Sequence, residues 1–304
     1  RAEPVVDGEH VHGPVVDARQ QVHEAHRVGS AGHEREHRLA GPEQAVPAAV
    51  GGDALGQGGR HAPSMLAGAL ALHLTTSPRR QAPLALCPGD PGRTRAVARE
   101  LLEGARTVTT ARGLLGVTGR WRGVPVTVQT TGMGGGSTAI VVTELVELGA
   151  RCLVRAGTAG GLRGDLPAGA LVVAEAAAAD DGAALALCGP LAPAPDPALT
   201  DALSAAAAGL GRPVARGPVV STDLFYDPGP PRAPAWAARG LVAVEMEAAA
   251  LFALAARLGA RAGCVLGISN ALVGERPEWL GPSERRELGL DAARAGLDAL
   301  VAAG

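Results

Sequence analysis

Residues 124–161, VPVTVQTTGMGGGSTAIVVTELVELGARCLVRAGTAGG, read as strand, glycine turn, helix, strand and a second glycine turn, and that order decides the fold. Val124, Val126 and Val128 are β-branched at alternate positions, which suits a strand closed by Thr130-Thr131-Gly132. Gly132, Gly134, Gly135 and Gly136 make a turn without side chains. Ser137 and Thr138 are expected to cap the helix behind it, whose apolar positions Ile140, Val141, Leu145, Val146 and Leu148 form a helical stripe up to Gly149. Backbone N–H groups at such a turn and helix start attract an anion. The second strand, Cys152-Leu153-Val154, delivers Arg155, Gly157 and Thr158 to its C-terminal end, where ligands of open α/β sheets bind. The stretch also fits an ordinary αβ unit in which Arg155 is a solvated strand-end charge. A dinucleotide site fits poorly, because the G-x-G-x-x-G spacing from Gly132 puts Ser137 where the third glycine belongs. A smaller anion held by Arg155, such as free phosphate, fits better.

The whole chain of 304 residues can bury a full core, and 47% hydrophobic residues with net charge −2 describe a soluble globular protein without a basic surface for nucleic acid. All 28 cationic side chains are Arg, so an arginine is by itself weak evidence for a chosen guanidinium. Cys87, Cys152, Cys188 and Cys264 are scattered without a C-x-x-C pair and read as reduced thiols, which favours a cytoplasmic protein. Seven of the eight histidines lie before residue 62, in a segment with neither helical nor strand period. Its histidine pairs, such as His10/His12, lack the Cys or fixed frame of a metal tract, so no metal site is expected. Residues 1–64 are expected to be disordered or to reflect a mis-set start of translation, with the folded domain over 65–304. The apolar run 65–74 is too short to span a membrane and lacks a convincing cleavage site, so neither export nor a membrane role is expected.

From residue 84 the chain alternates strands and helices. A strand over 84–87 is closed by Pro88-Gly89-Asp90-Pro91, and Arg93 falls in the first turn of the helix that follows, over 92–102. Residues 105–130 predict three strands hinged at Gly113, Gly116, Gly119 and Gly123, with Arg112 at one hinge. A strand over 170–174 leads into an alanine- and proline-rich loop over 176–197. A helix over 198–210 and a strand over 214–220 then deliver Ser221-Thr222-Asp223 and the aromatics Phe225 and Tyr226. The strand 241–245 runs into Met246, Glu247 and a helix to 258, so Glu245 and Glu247 share a face if the strand persists. A last strand over 262–269 ends at Asn270, and an amphipathic helix covers 283–301. This pattern predicts a single α/β domain with a central mixed, mostly parallel sheet flanked by helices. Its strand ends would collect Gly89, Arg93, Arg155, Thr158, Phe225, Glu247 and Asn270.

Five ordered motifs resemble the nucleoside phosphorylase-I family, and most closely its hexameric bacterial purine nucleoside phosphorylases. They are PGDPGR (88–93), RGLLGVTGRWRG (112–123), TTGMGGGSTAIVVTELVELGARCLVRAGTAGG (130–161), STDLFY (221–226) and VEMEAAALFALAARLGA (244–260). The resemblance implies a phosphate site of Gly89, Arg93, Arg155 and Thr158, completed by Arg112 from a neighbouring subunit. It also implies that His73 contacts a ribose 5′-hydroxyl across a subunit boundary, that Met246 and Glu247 bind the ribose, and that Phe225 stacks on the base. Glu245 joins the nucleoside-binding set as a supporting residue. Where many relatives carry an Asp that protonates purine N7, this chain has Asn270, its only Asn. A carboxamide is no general acid, but it can donate an N–H to N7 or O6, which suits 6-oxopurines better than adenine.

The expected reaction is reversible phosphorolysis of purine ribonucleosides, guanosine or inosine favoured, with Asn270 and Arg155 as the catalytic pair. Inorganic phosphate would be co-substrate, no metal or organic cofactor is required, and the assembly would be a homohexamer built from dimers with shared sites. Three alternatives stand beside it. A uridine phosphorylase usually carries an insertion between the Phe-Tyr and Glu-Met-Glu motifs, a nucleosidase using water generally lacks the phosphate arginines, and a non-catalytic nucleoside-binding module would need no acid at residue 270.

Overall fold

In the computed structural model of the chain, residues 71–189, 194–273 and 279–304 are described. All of them belong to the unit Arg60–Gly304, and the expected extension over 1–64 lies outside the described residues. The elements are β1 (Leu84–Cys87), α1 (Pro91–Glu100), β2 (Glu103–Thr109), β3 (Gly116–Trp121), β4 (Val124–Gln129), α2 (Gly135–Glu147), β5 (Cys152–Gly161) and β6 (Leu171–Asp180). Then follow α3 (Gly182–Cys188), α4 (Pro197–Ala208), β7 (Val214–Thr222), α5 (Ala233–Ala238), β8 (Ala243–Glu245), α6 (Ala248–Leu258), β9 (Arg261–Ala271) and α7 (Pro282–Ala303).

The nine strands form one sheet in the order β2-β3-β4-β1-β5-β8-β7-β6-β9, and an extra β5–β9 pairing closes the last five into a ring. Five strand pairs are parallel and four antiparallel. The fold is thus the expected α/β domain with a mixed sheet. Alternation along β1 explains its two-sided burial: Ala85 and Cys87 pack with α2 and α6, while Leu84 and Leu86 pack with α1, α4 and α7.

Four local readings change. β5 does not stop before Arg155 but runs on to Gly161, paired with β9 as far as Gly161↔Ala271. Arg155 is therefore an interior strand residue, not a solvated end. β6 likewise continues to Asp180 instead of breaking into a loop, because β7 pairs with it up to Asp180↔Thr222 and overrides the weak strand preference of its alanines. Gly119 lies inside β3 rather than at a hinge. The cap of α2 is Gly134, at φ 86°, with no side-chain hydrogen bond. Ser137 Oγ instead donates to the Thr131 carbonyl at 2.5 Å, tying the glycine turn back to the strand before it.

Candidate active site

Arg155 is the centre of the site, at 5% exposure. Its Nε donates to Glu245 Oε2 at 2.7 Å, and its Nη2 pairs with Glu247 Oε2. The guanidinium folds over Gly157, where a Cβ would stand 2.9 Å from Nη2 and force it away. Burial works against this cation, but Glu247 and Glu245 outweigh it and hold its proton more tightly than an ordinary arginine does. Cys87 and Cys264 sit beside Arg155 in register on the adjacent strands. Burial pushes the Cys87 thiol up to about 12, and Cys264 in the same direction, so neither is a nucleophile at neutral pH.

Glu245 and Glu247 have different tasks. Glu245 accepts from Arg155 Nε, from Ser221 Oγ, from Glu247 N at 2.8 Å and from Ala248 N at 3.0 Å. Ser221 Oγ in turn accepts from Ala249 N at 2.9 Å, so the pair caps the otherwise orphaned N–H groups at the start of α6. Glu245, expected among the nucleoside-binding residues, has its oxygens committed inside the protein. Glu247 accepts from Gly134 N at 2.7 Å as well as from Arg155. The anion drawn to the glycine turn is therefore, in this structure, Glu247's own carboxylate. Burial pushes that carboxyl above the ordinary range and the Glu245 charge adds to the effect, while Arg155 and the Gly134 N–H act the other way.

Of the phosphate candidates, Gly89 and Arg93 lie near Arg155. Gly89 follows β1, and a Cβ there would lie 3.1 Å from the Gly132 carbonyl and 3.9 Å from Arg155 Nη1. Arg93, in the first turn of α1, fits against Gly289 of α7, where a Cβ would come within 2.6 Å of its Nε. Burial lowers its proton affinity, and the nearby Arg155 charge lowers it further. Among the described residues Arg93 has no carboxylate at ion-pair distance, and the Thr158 hydroxyl has no partner. Arg112 is exposed, at φ 55° in the short helix Ala111–Gly113, and its side chain makes no hydrogen bond or ion pair among the described residues.

The nucleoside candidates come from separate elements. Phe225 is 66% exposed and meets Tyr226 edge-on, 4.9 Å between centroids. Their loop is tied down by Arg232, which sequence reasoning missed. Its Nη1 donates to Asp180 at 3.1 Å and its Nη2 to Thr222 at 2.8 Å, while the guanidinium lies 4.8 Å from the Trp236 ring. Met246 is half-buried between the two glutamates. Asn270 is buried near the end of β9, and Ser269 Oγ donates to its Oδ1 at 2.9 Å. The Asn270 amide N–H₂ has no hydrogen-bond acceptor among the described residues. His73 is held by Glu144, another residue the sequence reading passed over. Its signal was a charge three places after Val141 on the buried stripe of α2.

Residues 83–302 match the sequence model described as the phosphorylase superfamily. The chain belongs to this family. Among relatives in the superfamily, the DeoD-type purine nucleoside phosphorylase of Myxococcus xanthus (strain DK1622) is 39% identical over 73% of this chain and 97% of its own length. Those of Jannaschia sp. (strain CCS1) and Caldanaerobacter subterraneus subsp. tengcongensis are 38% and 34% identical, over 72% and 75% of this chain and 93% and 99% of theirs. No described helix is long and apolar enough to cross a membrane, and no metal-binding cluster occurs among the described residues.

Proposed function

We propose that this phosphorylase-superfamily protein catalyses reversible phosphorolysis of purine ribonucleosides, giving ribose 1-phosphate and free base. One observation carries the reading: Arg93, a guanidinium without an ion-pair partner among the described residues, sits beside Arg155 and next to the buried acceptor Glu247. Arg155 is already matched by Glu245 and Glu247, so Arg93 is the cation left to take an anion, and the Glu247 carboxylate suits sugar hydroxyls. The names of the relatives point the same way.

In this reading Arg93, Arg155, the Gly89 backbone and Thr158 hold phosphate below C1′, with Arg112 entering from a neighbouring subunit. Glu247 accepts from the 2′- and 3′-hydroxyls, Met246 packs under the ribose, and Phe225 covers the base. Glu245 acts through Arg155 rather than on substrate. The C1′–N9 bond breaks ahead of attack, the sugar becomes cationic, and bound phosphate stabilises that charge. The Asn270 N–H₂ donates to the departing base at N7 or O6, favouring guanosine and inosine, whose negative charge can rest on O6. Phosphate is a co-substrate and no further cofactor is needed. The four cysteines are free and suit a reducing cytoplasm. A homohexamer of site-sharing dimers would give Arg112 and His73 their targets.

The test is base release from inosine, guanosine, adenosine and uridine, each with and without phosphate. Phosphate-dependent cleavage of inosine and guanosine, with slow adenosine and inert uridine, is expected. Cleavage independent of phosphate would make the protein a nucleosidase, and no cleavage at all a binding module.

A further inference from the structure

Glu144 is a charge in an expensive place. It is 3% exposed on α2, among Val141, Leu145 and Val146, where an apolar residue would pack without desolvation cost. The partners of its carboxylate among the described residues belong to two consecutive residues, His73 and Leu74. Oε1 accepts from His73 N at 3.0 Å and from His73 Nδ1 at 2.6 Å. Oε2 accepts from His73 N at 3.1 Å and from Leu74 N at 2.8 Å. Burial works against the charge, but these bonds outweigh it and hold the carboxyl below the usual glutamate range.

An ionised carboxylate only accepts hydrogen bonds, so the close Nδ1 contact requires a hydrogen on Nδ1. In the tautomer that carries its hydrogen on Nδ1 alone, Nε2 is the ring's acceptor. The side chain is 32% exposed, and Nε2 has no partner among the described residues. Anchoring this segment does not by itself need a charge, because Leu74 is already fully buried beside it. What the carboxylate adds is a fixed tautomer and ring direction.

We infer that Glu144 is a positioning residue for nucleoside recognition: it fixes His73 through Nδ1 so that Nε2 accepts from the ribose 5′-hydroxyl. The inference rests on the reading of His73 as a ribose contact. It places the control of that contact in α2, away from the phosphate groups.

The experiment compares kcat/KM for inosine and 5′-deoxyinosine, which lacks the hydroxyl, in the full chain and in Glu144→Gln, His73→Ala and the double variant. Glu144→Gln should lower the value for inosine about tenfold, the scale of one hydrogen bond to a polar partner. The loss should appear in the nucleoside KM with phosphate KM unchanged, and should be far smaller for 5′-deoxyinosine. The double variant should be no worse than His73→Ala. Equal losses on both substrates would make Glu144 structural only and overturn the inference. A selective loss in His73→Ala without one in Glu144→Gln overturns the inference but keeps His73 on the ribose. No selective loss in His73→Ala removes both. If Glu144→Gln does not fold, Glu144→Asp keeps the charge but shortens its reach by one methylene, and the same substrate comparison decides.

Discussion

In the proposed site Glu247 accepts two ribose hydroxyls as a carboxylate, yet it lies buried with its carboxyl pushed above the ordinary glutamate value of 4.5. Because kcat/KM reports the free enzyme, its acid limb should fall above that value. Activity should be lost as pH drops through the raised pKa. Stability has the opposite sign: a raised carboxyl contributes stability that is complete below 4.5 and is lost as pH rises through its folded value. Glu247→Gln should remove the acid limb and lower kcat/KM by about 10- to 100-fold, the worth of hydrogen bonds to a charged group. A wild-type profile flat down to the ordinary glutamate value would take Glu247 off the ribose. Asn270 gives a second residue-scale prediction. An Asp there could keep the Ser269 hydrogen bond on one oxygen and protonate N7 from the other. General acid help is typically worth ~10²–10⁴-fold, so Asn270→Asp should raise the adenosine-to-guanosine ratio of kcat/KM when measured across pH. An unchanged ratio at every pH means that residue 270 does not set base choice.

Elements carry constraints that single residues hide, and α7 is the clearest case. Gly289 interrupts a helix that would prefer alanine by about 0.5–1 kcal/mol. The helix tolerates it because the missing side chain seats Arg93, whose Nε would lie 2.6 Å from an added Cβ. Gly289→Ala should therefore leave the Tm unchanged or higher, since a flexible side chain can move aside. It should also raise the phosphate KM about tenfold, as Arg93 is displaced from an anion contact. A lower Tm with unchanged phosphate KM would mean that the glycine serves packing alone. The sequence makes the strand–turn–helix units legible because glycines and β-branched runs mark them locally. Pairing across the sheet is not local, so β5 and β6 come out longer than their apolar cores suggest. The same gap affects the site. Arg155 and Glu247 stand out in the sequence as charges that follow apolar runs, but the commitment of Glu245 to Arg155, Ser221 and the start of α6 depends on contacts 90 and 24 positions away. Arg232 and Glu144 likewise become visible only through partners in other elements.

At the scale of the whole molecule, the ring of β5, β8, β7, β6 and β9 joins Arg155 to Glu245 and Glu247 within one chain, and sets Asn270 of β9 level with Gly160 of β5, which faces Val244 of β8. Two expected site residues stand apart from that core. Arg112 is an exposed cation held at a positive φ that a non-glycine residue rarely adopts, and His73 is bound to α2 rather than to any phosphate or base residue. Met133 and Ile140, at the start of α2 and on its surface, leave apolar groups exposed near the same part of the chain. A site completed by a second copy accounts for both residues, and it can be tested without a structure of the assembly. Arg112→Ala and Arg155→Ala should each be nearly inactive alone. If the site combines Arg155 of one subunit with Arg112 of its partner, a mixed dimer holds one intact site and one doubly damaged site. Random equal mixing makes half of the dimers mixed, so activity should return to about a quarter of the wild-type value. Recovery requires exchange of subunits, which native mass spectrometry of the mixture would report. Mixed assemblies that form and stay as inactive as their parents would place Arg112 outside the shared site.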